Sequence, residues 1–127
     1  MAPRLPALGG IAFVICLSAL GYPNRIHAQD AATGERLFRQ RCAGCHPTES
    51  GRTGAGPSLA GLMGRRAGSV EGARYSPAMR RLEIVWNRGS LDSYLADPSG
   101  FVVGTTKRTP IRNAEDRANL IAFLGGL

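Results

Sequence analysis

The sequence predicts an all-α fold: a small domain of roughly three to five short helices. Three observations lead there. Capping residues recur ahead of short apolar sets at helical spacing, as where Asn113 precedes Leu120, Ile121, Phe123 and Leu124. No stretch alternates apolar and polar residues well enough to make a half-buried strand. With 17 glycines and only 6% aromatic residues, side chains alone fill a core poorly, so something else must contribute to it.

The first 28 residues read as a secretory signal peptide. Arg4 supplies the positive start, residues 11–20 the apolar centre, and Ile26-His27-Ala28 an approach to a cut after Ala28. Ile26 is a less usual residue two places before such a cut. The competing reading is an uncleaved anchor drawn from the apolar run 7–22. Cys16 lies inside that run without the small-residue approach of a lipid-modified cysteine, and reads as filler. Cleavage leaves one domain at 29–127, 99 residues (127 − 28), exported to the periplasm with no stable membrane insertion. A chain of that size buries only about 60–65% of its unfolded surface, so its stability margin is thin.

In chain order, Thr33 is a helix cap followed by Gly34, Glu35, Leu37 and Phe38. From Pro47 to Pro57 the chain is rich in glycine and must loop. Ser58 is expected to cap one turn carrying Leu59, Leu62 and Met63, which Gly64 ends. Ser76-Pro77 starts a short helix that buries Ala78, Met79 and Leu82, because proline suits the first helical position. Ser90 is expected to cap a helix with Leu91, Tyr94 and Leu95, stopped at Pro98. Asn113 with Asp116 resembles a capping box, and acids in that first turn suit the helix dipole.

The first of these helices ends at Cys42-Ala43-Gly44-Cys45-His46, the c-type haem attachment signature. Each thiol adds to one vinyl group of the porphyrin, and the adjacent imidazole ligates the iron from one face. A thioredoxin-like redox pair and half of a zinc site are the rivals. The third cysteine, Cys16, and the second histidine, His27, fall in the cleavable segment, so a zinc site lacks ligands. The flanks also lack the βαβ pattern of a redox disulfide. One covalent haem c would supply the core that the side chains do not.

Loss of Arg4 and Arg25 takes the formal charge from +7 to +5 (7 − 2), with 14 basic residues (16 − 2) against nine acidic ones. That balance fits a redox partner with an acidic docking surface. Nucleic acid is a poor partner for dispersed charge on an exported protein. A monomer is expected.

With these pieces in place the chain resembles a class I, mono-haem cytochrome c over nearly all of residues 29–127. Gly34 and Phe38 ahead of the attachment motif, Gly56-Pro57-Ser58-Leu59, Gly61-Leu62-Met63-Gly64-Arg65, Tyr75-Ser76, Trp86, Tyr94-Leu95, Pro98 and the run Asp116 to Leu124 carry the resemblance. It implies that the terminal helices cross at Gly34, with Phe38 and Phe123 packed there. It implies that the Pro57 carbonyl accepts the His46 Nδ1 proton, leaving Nε2 for iron. Tyr75, Trp86 and Arg65 resemble groups that contact the haem propionates, and a solvated surface role also stays open for Arg65. Tyr94, Leu95, Met63 and Met79 read as core.

The departure is at the sixth iron ligand, a methionine in the family's Pro-Gly-Thr-Lys-Met loop. Here the loop is Val103-Gly104-Thr105-Thr106-Lys107, and without a gap from Trp86 the methionine position falls on Lys107. Three outcomes compete. Lys107 ligates as the neutral amine, against a deprotonation cost of about 4–5 kcal/mol at pH 7 for an amine of ordinary pKa. Or it points to solvent and leaves water, hydroxide or nothing on the iron. Or Met63 or Met79 swings in. The sequence favours the open or weakly occupied site, with Thr105, Thr106 and Thr109 as hydrogen-bonding groups for a bound molecule.

Electron carriage, cycling Fe(III)/Fe(II) by outer-sphere transfer and at a lower potential than a His/Met relative, is the expected function. The alternative class is a ligand-binding or sensing haem protein, or a weak peroxidase, with an open sixth site. A peroxidase needs an acid–base group near the peroxide. Lys107, Arg108 and Arg112 are its unproven candidates, so the chain reads as a carrier rather than an enzyme.

Overall fold

A computed structural model describes residues 29–127. The predicted leader, with Cys16 and His27, lies outside the described residues. Five helices follow one another: α1 (Ala31–Arg41), α2 (Pro77–Arg81), α3 (Arg88–Ala96), α4 (Pro98–Phe101) and α5 (Ala114–Leu124). The isolated bridge Arg66↔Val85 is the β-like pairing recorded among the described residues.

Two predicted caps move by one turn, for the same reason. The free N–H groups at a helix start take the nearest side-chain oxygen upstream. For α1 that is Asp30, whose Oδ1 accepts from Ala32 N at 2.9 Å, while Thr33, inside the helix, donates its hydroxyl to Asp30. For α3 it is Asn87, whose Oδ1 accepts from Ser90 N at 2.9 Å. Ser90 returns the bond from the third helical position, accepting from Asn87 N at 3.0 Å. The predicted starts of α2 and α5 hold. Ser76 Oγ accepts from Met79 N at 3.1 Å, and Asn113 Oδ1 from Asp116 N at 3.0 Å.

Pro98 ends α3 as expected and also opens α4, a single turn that the sequence did not suggest. Asp97 caps it, accepting from Gly100 N at 3.0 Å. The helical turn expected after Ser58 is a loop instead. Ser58 accepts from Ala60 N at 3.2 Å and donates to Glu49 O at 2.8 Å, so its hydroxyl ties two loops together. Gly64 then takes φ 82°, a left-handed conformation that suits glycine, and its N–H donates to Trp86 O at 2.8 Å.

Packing centres on α1 against α5. A Cβ at Gly34 would lie 2.0 Å from Asn119 O, so the helices approach to a distance that glycine alone permits. Beside the crossing the Phe38 and Phe123 ring centroids are 5.3 Å apart, and Asn119 Oδ1 accepts from Asp30 N at 2.8 Å. The core continues through Leu120 and Leu124 of α5 to Leu91 and Leu95 of α3. Arg117 secures the segment between α4 and α5. Its Nε donates to Asp92 Oδ1 at 2.7 Å, and its Nη1 to Ile111 O and Arg112 O at 2.9 and 3.0 Å.

Gly34→Ala therefore forces the helices apart against backbone, and is expected to destabilise by about 3 kcal/mol. Thermal unfolding should show a Tm lowered by about 10 °C or more. The hydrogen bond from Thr33 holds the Asp30 carboxyl below its ordinary value of 3.8, helped by backbone bonds and by Arg36. A depressed carboxylate stabilises the fold above that ordinary value and loses its contribution as pH falls through the lower folded one. Asp30→Ala should thus flatten the acid limb of a stability–pH curve below about pH 4, leaving its shape at neutral pH unchanged.

Candidate functional site

Helix α1 ends where Cys42 N donates to Phe38 O at 2.8 Å. The next four residues fold into a tight turn in which Cys45 N and His46 N both donate to Cys42 O, at 3.0 and 2.9 Å. Cys42, Cys45 and His46 of this five-residue motif thereby all line one cavity. Both thiols are free; Cys42 is half-buried and Cys45 exposed.

The His46 ring is fixed from behind. Its Nδ1–H donates to Pro57 O at 2.9 Å, since a carbonyl can only accept. The proton on Nδ1 leaves the lone pair on Nε2. Gly56 lies against the ring so closely that a Cβ there would sit 2.4 Å from His46 Cε1. Gly56 N in turn donates to Cys45 O at 2.9 Å, closing the loop onto the motif that it supports.

The cavity measures about 680 Å³. Its wall includes all eight residues selected from the sequence: Cys42, Cys45, His46, Pro57, Arg65, Tyr75, Trp86 and Lys107. Leu59, Leu62, Leu91, Leu95, Leu120 and Leu124 give the wall its apolar character. Arg65 is half-buried and donates Nη1 to Ala60 O at 2.6 Å and Nη2 to Ser58 O at 2.9 Å. Burial pushes its guanidinium down from its ordinary value, against the pull of Tyr75. Tyr75 accepts from Val70 N at 3.3 Å through its hydroxyl, and Trp86 is buried.

Segment 102–111 forms another part of the wall. Thr105 is buried, its hydroxyl 3.3 Å from that of Tyr94. Lys107 is half-buried, and its Nζ donates to Thr109 O at 3.0 Å. Burial pushes the Lys107 ammonium down, with the Cys42 thiol opposing; burial likewise raises the Cys42 thiol, with Lys107 and Arg41 opposing. Met79 lines the cavity, whereas Met63 packs beside the core elsewhere.

Sequence reasoning missed the cavity role of Tyr94. Its placement on the buried face of α3 with Leu91 and Leu95 was legible, but its hydroxyl needs a partner inside. Thr105 supplies one, and burial raises the phenol while that bond lowers it. Reading the tyrosine as an amphipathic group rather than as filler was the available clue.

The donor set suits a porphyrin. Two cysteines and a histidine with its Nδ1–H engaged line an apolar space, and the half-buried Arg65 guanidinium lies beside it with backbone carbonyls as its partners. Among the described residues no three His, Cys, Asp or Glu side chains cluster to hold a bare metal ion.

Comparison with known proteins agrees. The family model described as "Cytochrome c" matches residues 31–127. A "Cytochrome c" of Gibberella zeae is 42% identical over 97 residues, covering 75% of this chain and 92% of that protein. "Cytochrome c type-1" of Ascaris suum is 38% identical over 96 residues, covering 75% and 86%. The solved structure of cytochrome cH from Methylobacterium extorquens is similar with a TM-score of 0.70 and 33% identity, over 77% of this chain and 99% of that one. From the cysteines and histidine that line one cavity, the helical frame around them and these matches, the chain belongs to the class I cytochrome c family, electron-transfer proteins that hold one covalently attached haem c.

Proposed function

We propose that this chain is a periplasmic electron carrier in which Cys42 and Cys45 form the two thioether links and His46 is the proximal iron ligand. When bound, haem c would supply a one-electron Fe(III)/Fe(II) couple. The observation that carries the assignment is that Cys42, Cys45 and His46 line one apolar cavity, with the His46 Nδ1–H held by Pro57 O.

Each residue then has a definable task. Pro57 and Gly56 fix the imidazole plane, and the Nδ1–H bond strengthens Nε2 as a donor. Arg65, Tyr75 and Trp86 border the space where carboxylate groups of the cofactor would lie. The half-buried Arg65 guanidinium, whose bonds go to the Ala60 and Ser58 carbonyls, is the natural counter-charge. The leucines of the wall exclude water, which supports a change of iron charge with little reorganisation.

Arg41, Arg74 and Arg108 are exposed and also border the cavity, so its surroundings carry exposed positive charge. That arrangement suits a partner protein with an acidic docking face, engaged transiently by a monomer. Export rests on the leader motif in residues 1–28. No helix among the described residues is long and apolar enough to cross a membrane.

Attachment is tested by making the protein in a host with cytochrome maturation machinery. The purified chain should exceed its polypeptide mass by one haem and show a Soret band after acid–organic extraction. Cys42→Ala combined with Cys45→Ala should lose both. A wild-type chain at bare polypeptide mass would refute the assignment. Docking is tested separately, by the rate of electron exchange with an acidic protein acceptor. That rate should fall about tenfold or more between low and high salt, since exposed charges are screened within about 10 Å at 0.1 M. A salt-independent rate would remove the acidic partner.

A further inference from the structure

The sequence alone favours an open sixth position, but the arrangement of segment 102–111 points elsewhere. Apart from the attachment turn, four side chains on the cavity wall carry an atom able to bind iron: Tyr75, Met79, Tyr94 and Lys107. Three are committed to other contacts. The Tyr75 hydroxyl accepts from Val70 N, and that of Tyr94 shares a hydrogen bond with Thr105. Met79 is buried in the core cluster from the middle of α2. Met63, the other methionine of the described residues, does not reach the cavity wall.

Lys107 differs in both its backbone and its side chain. Its segment is tied down on either side. Val102 N donates to Pro98 O and Thr105 N to Val102 O, both at 3.0 Å. Beyond Lys107, Ile111 N donates to Leu95 O at 2.8 Å, and Arg117 holds the carbonyls of Ile111 and Arg112. Lys107 N itself donates to Thr105 Oγ1 at 3.3 Å. Its amine, by contrast, has one recorded bond, to the carbonyl two residues on, and no carboxylate pairs with it among the described ion pairs. That bond is local to the side chain, and the hydrogen bonds that tie down the segment's backbone do not depend on it.

Resting on the haem-attachment assignment above, we propose that Lys107 is the sixth iron ligand of the ferric protein, a nitrogen donor where the family has sulfur. The ammonium releases one proton to solvent, and the freed lone pair forms the iron–nitrogen bond as any bound water leaves. No electron changes hands. Thr109 O, at the surface, loses one donor and regains it from water.

The test uses ferric and ferrous holoprotein carrying Lys107→Ala, Lys107→Met or Met79→Leu, beside wild type. Wild type should give a low-spin EPR spectrum without the near-infrared sulfur-to-iron band. Ferric Lys107→Ala should turn high-spin, and it should bind added imidazole faster than ferric wild type does. Lys107→Met should stay low-spin, gain the sulfur band and raise the potential. Met79→Leu should leave the wild-type spectrum intact. A high-spin ferric wild type, or a ferric Lys107→Ala spectrum identical to wild type, would each overturn the proposal. So would loss of low-spin iron in a Met79→Leu protein that retains its helical circular dichroism. Failure of haem attachment itself reads out differently, as absence of the Soret band in every protein.

Discussion

Helix α1 lies directly against the backbone of α5, and the site depends on that crossing. Because Gly34 has no side chain, α1 lies against the Asn119 carbonyl. That approach fixes the line along which α1 runs into Cys42, and so where the attachment turn meets the cavity. Asn119 supports the crossing twice, through its main chain beneath Gly34 and through its side chain on Asp30 N. Phe38 and Phe123 fill the flank of the crossing and shield these polar contacts from water.

Around that frame the two regions relevant to iron chemistry are held by different means. The imidazole is locked: a short bond on one ring nitrogen and a glycine pressed to its face leave it a single orientation. The segment bearing Lys107 is held by its backbone while the side chain is left a local, exchangeable bond. Under the proposal that Lys107 ligates, a fixed donor would stand on one side and an adjustable one on the other. A harder nitrogen donor in place of thioether sulfur would shift the potential downward, because it favours the ferric state.

Charge is organised to match. Arginine outnumbers lysine throughout the chain, and guanidinium groups both border the cavity and sit within its wall. The outer ones, Arg41, Arg74 and Arg108, remain hydrated and attract at long range. The inner one, Arg65, is desolvated and held by two carbonyls, so it acts over short distance on whatever negative charge the cavity receives.

Much of this was legible in the residues themselves. Ser76-Pro77 and Asn113 to Asp116 specify helix starts through local hydrogen bonds, so reading them needs no tertiary information. Thr33 and Ser90 misled because a nearer upstream oxygen, Asp30 or Asn87, competes for the same N–H groups. The turn after Ser58 failed to become a helix because its hydroxyl bonds to Glu49, nine residues back, a contact that spacing does not reveal. The spacing of Cys42, Cys45 and His46 determined by itself that a porphyrin could be gripped, since covalent reach and ligation are local geometry. That Tyr94 turns its hydroxyl to Thr105, that Arg65 is drawn into the wall, and that Lys107 is held at the cavity were decided only by the tertiary structure. Each depends on burial and on partners distant in the chain, and burial is a property of the packed molecule rather than of any segment.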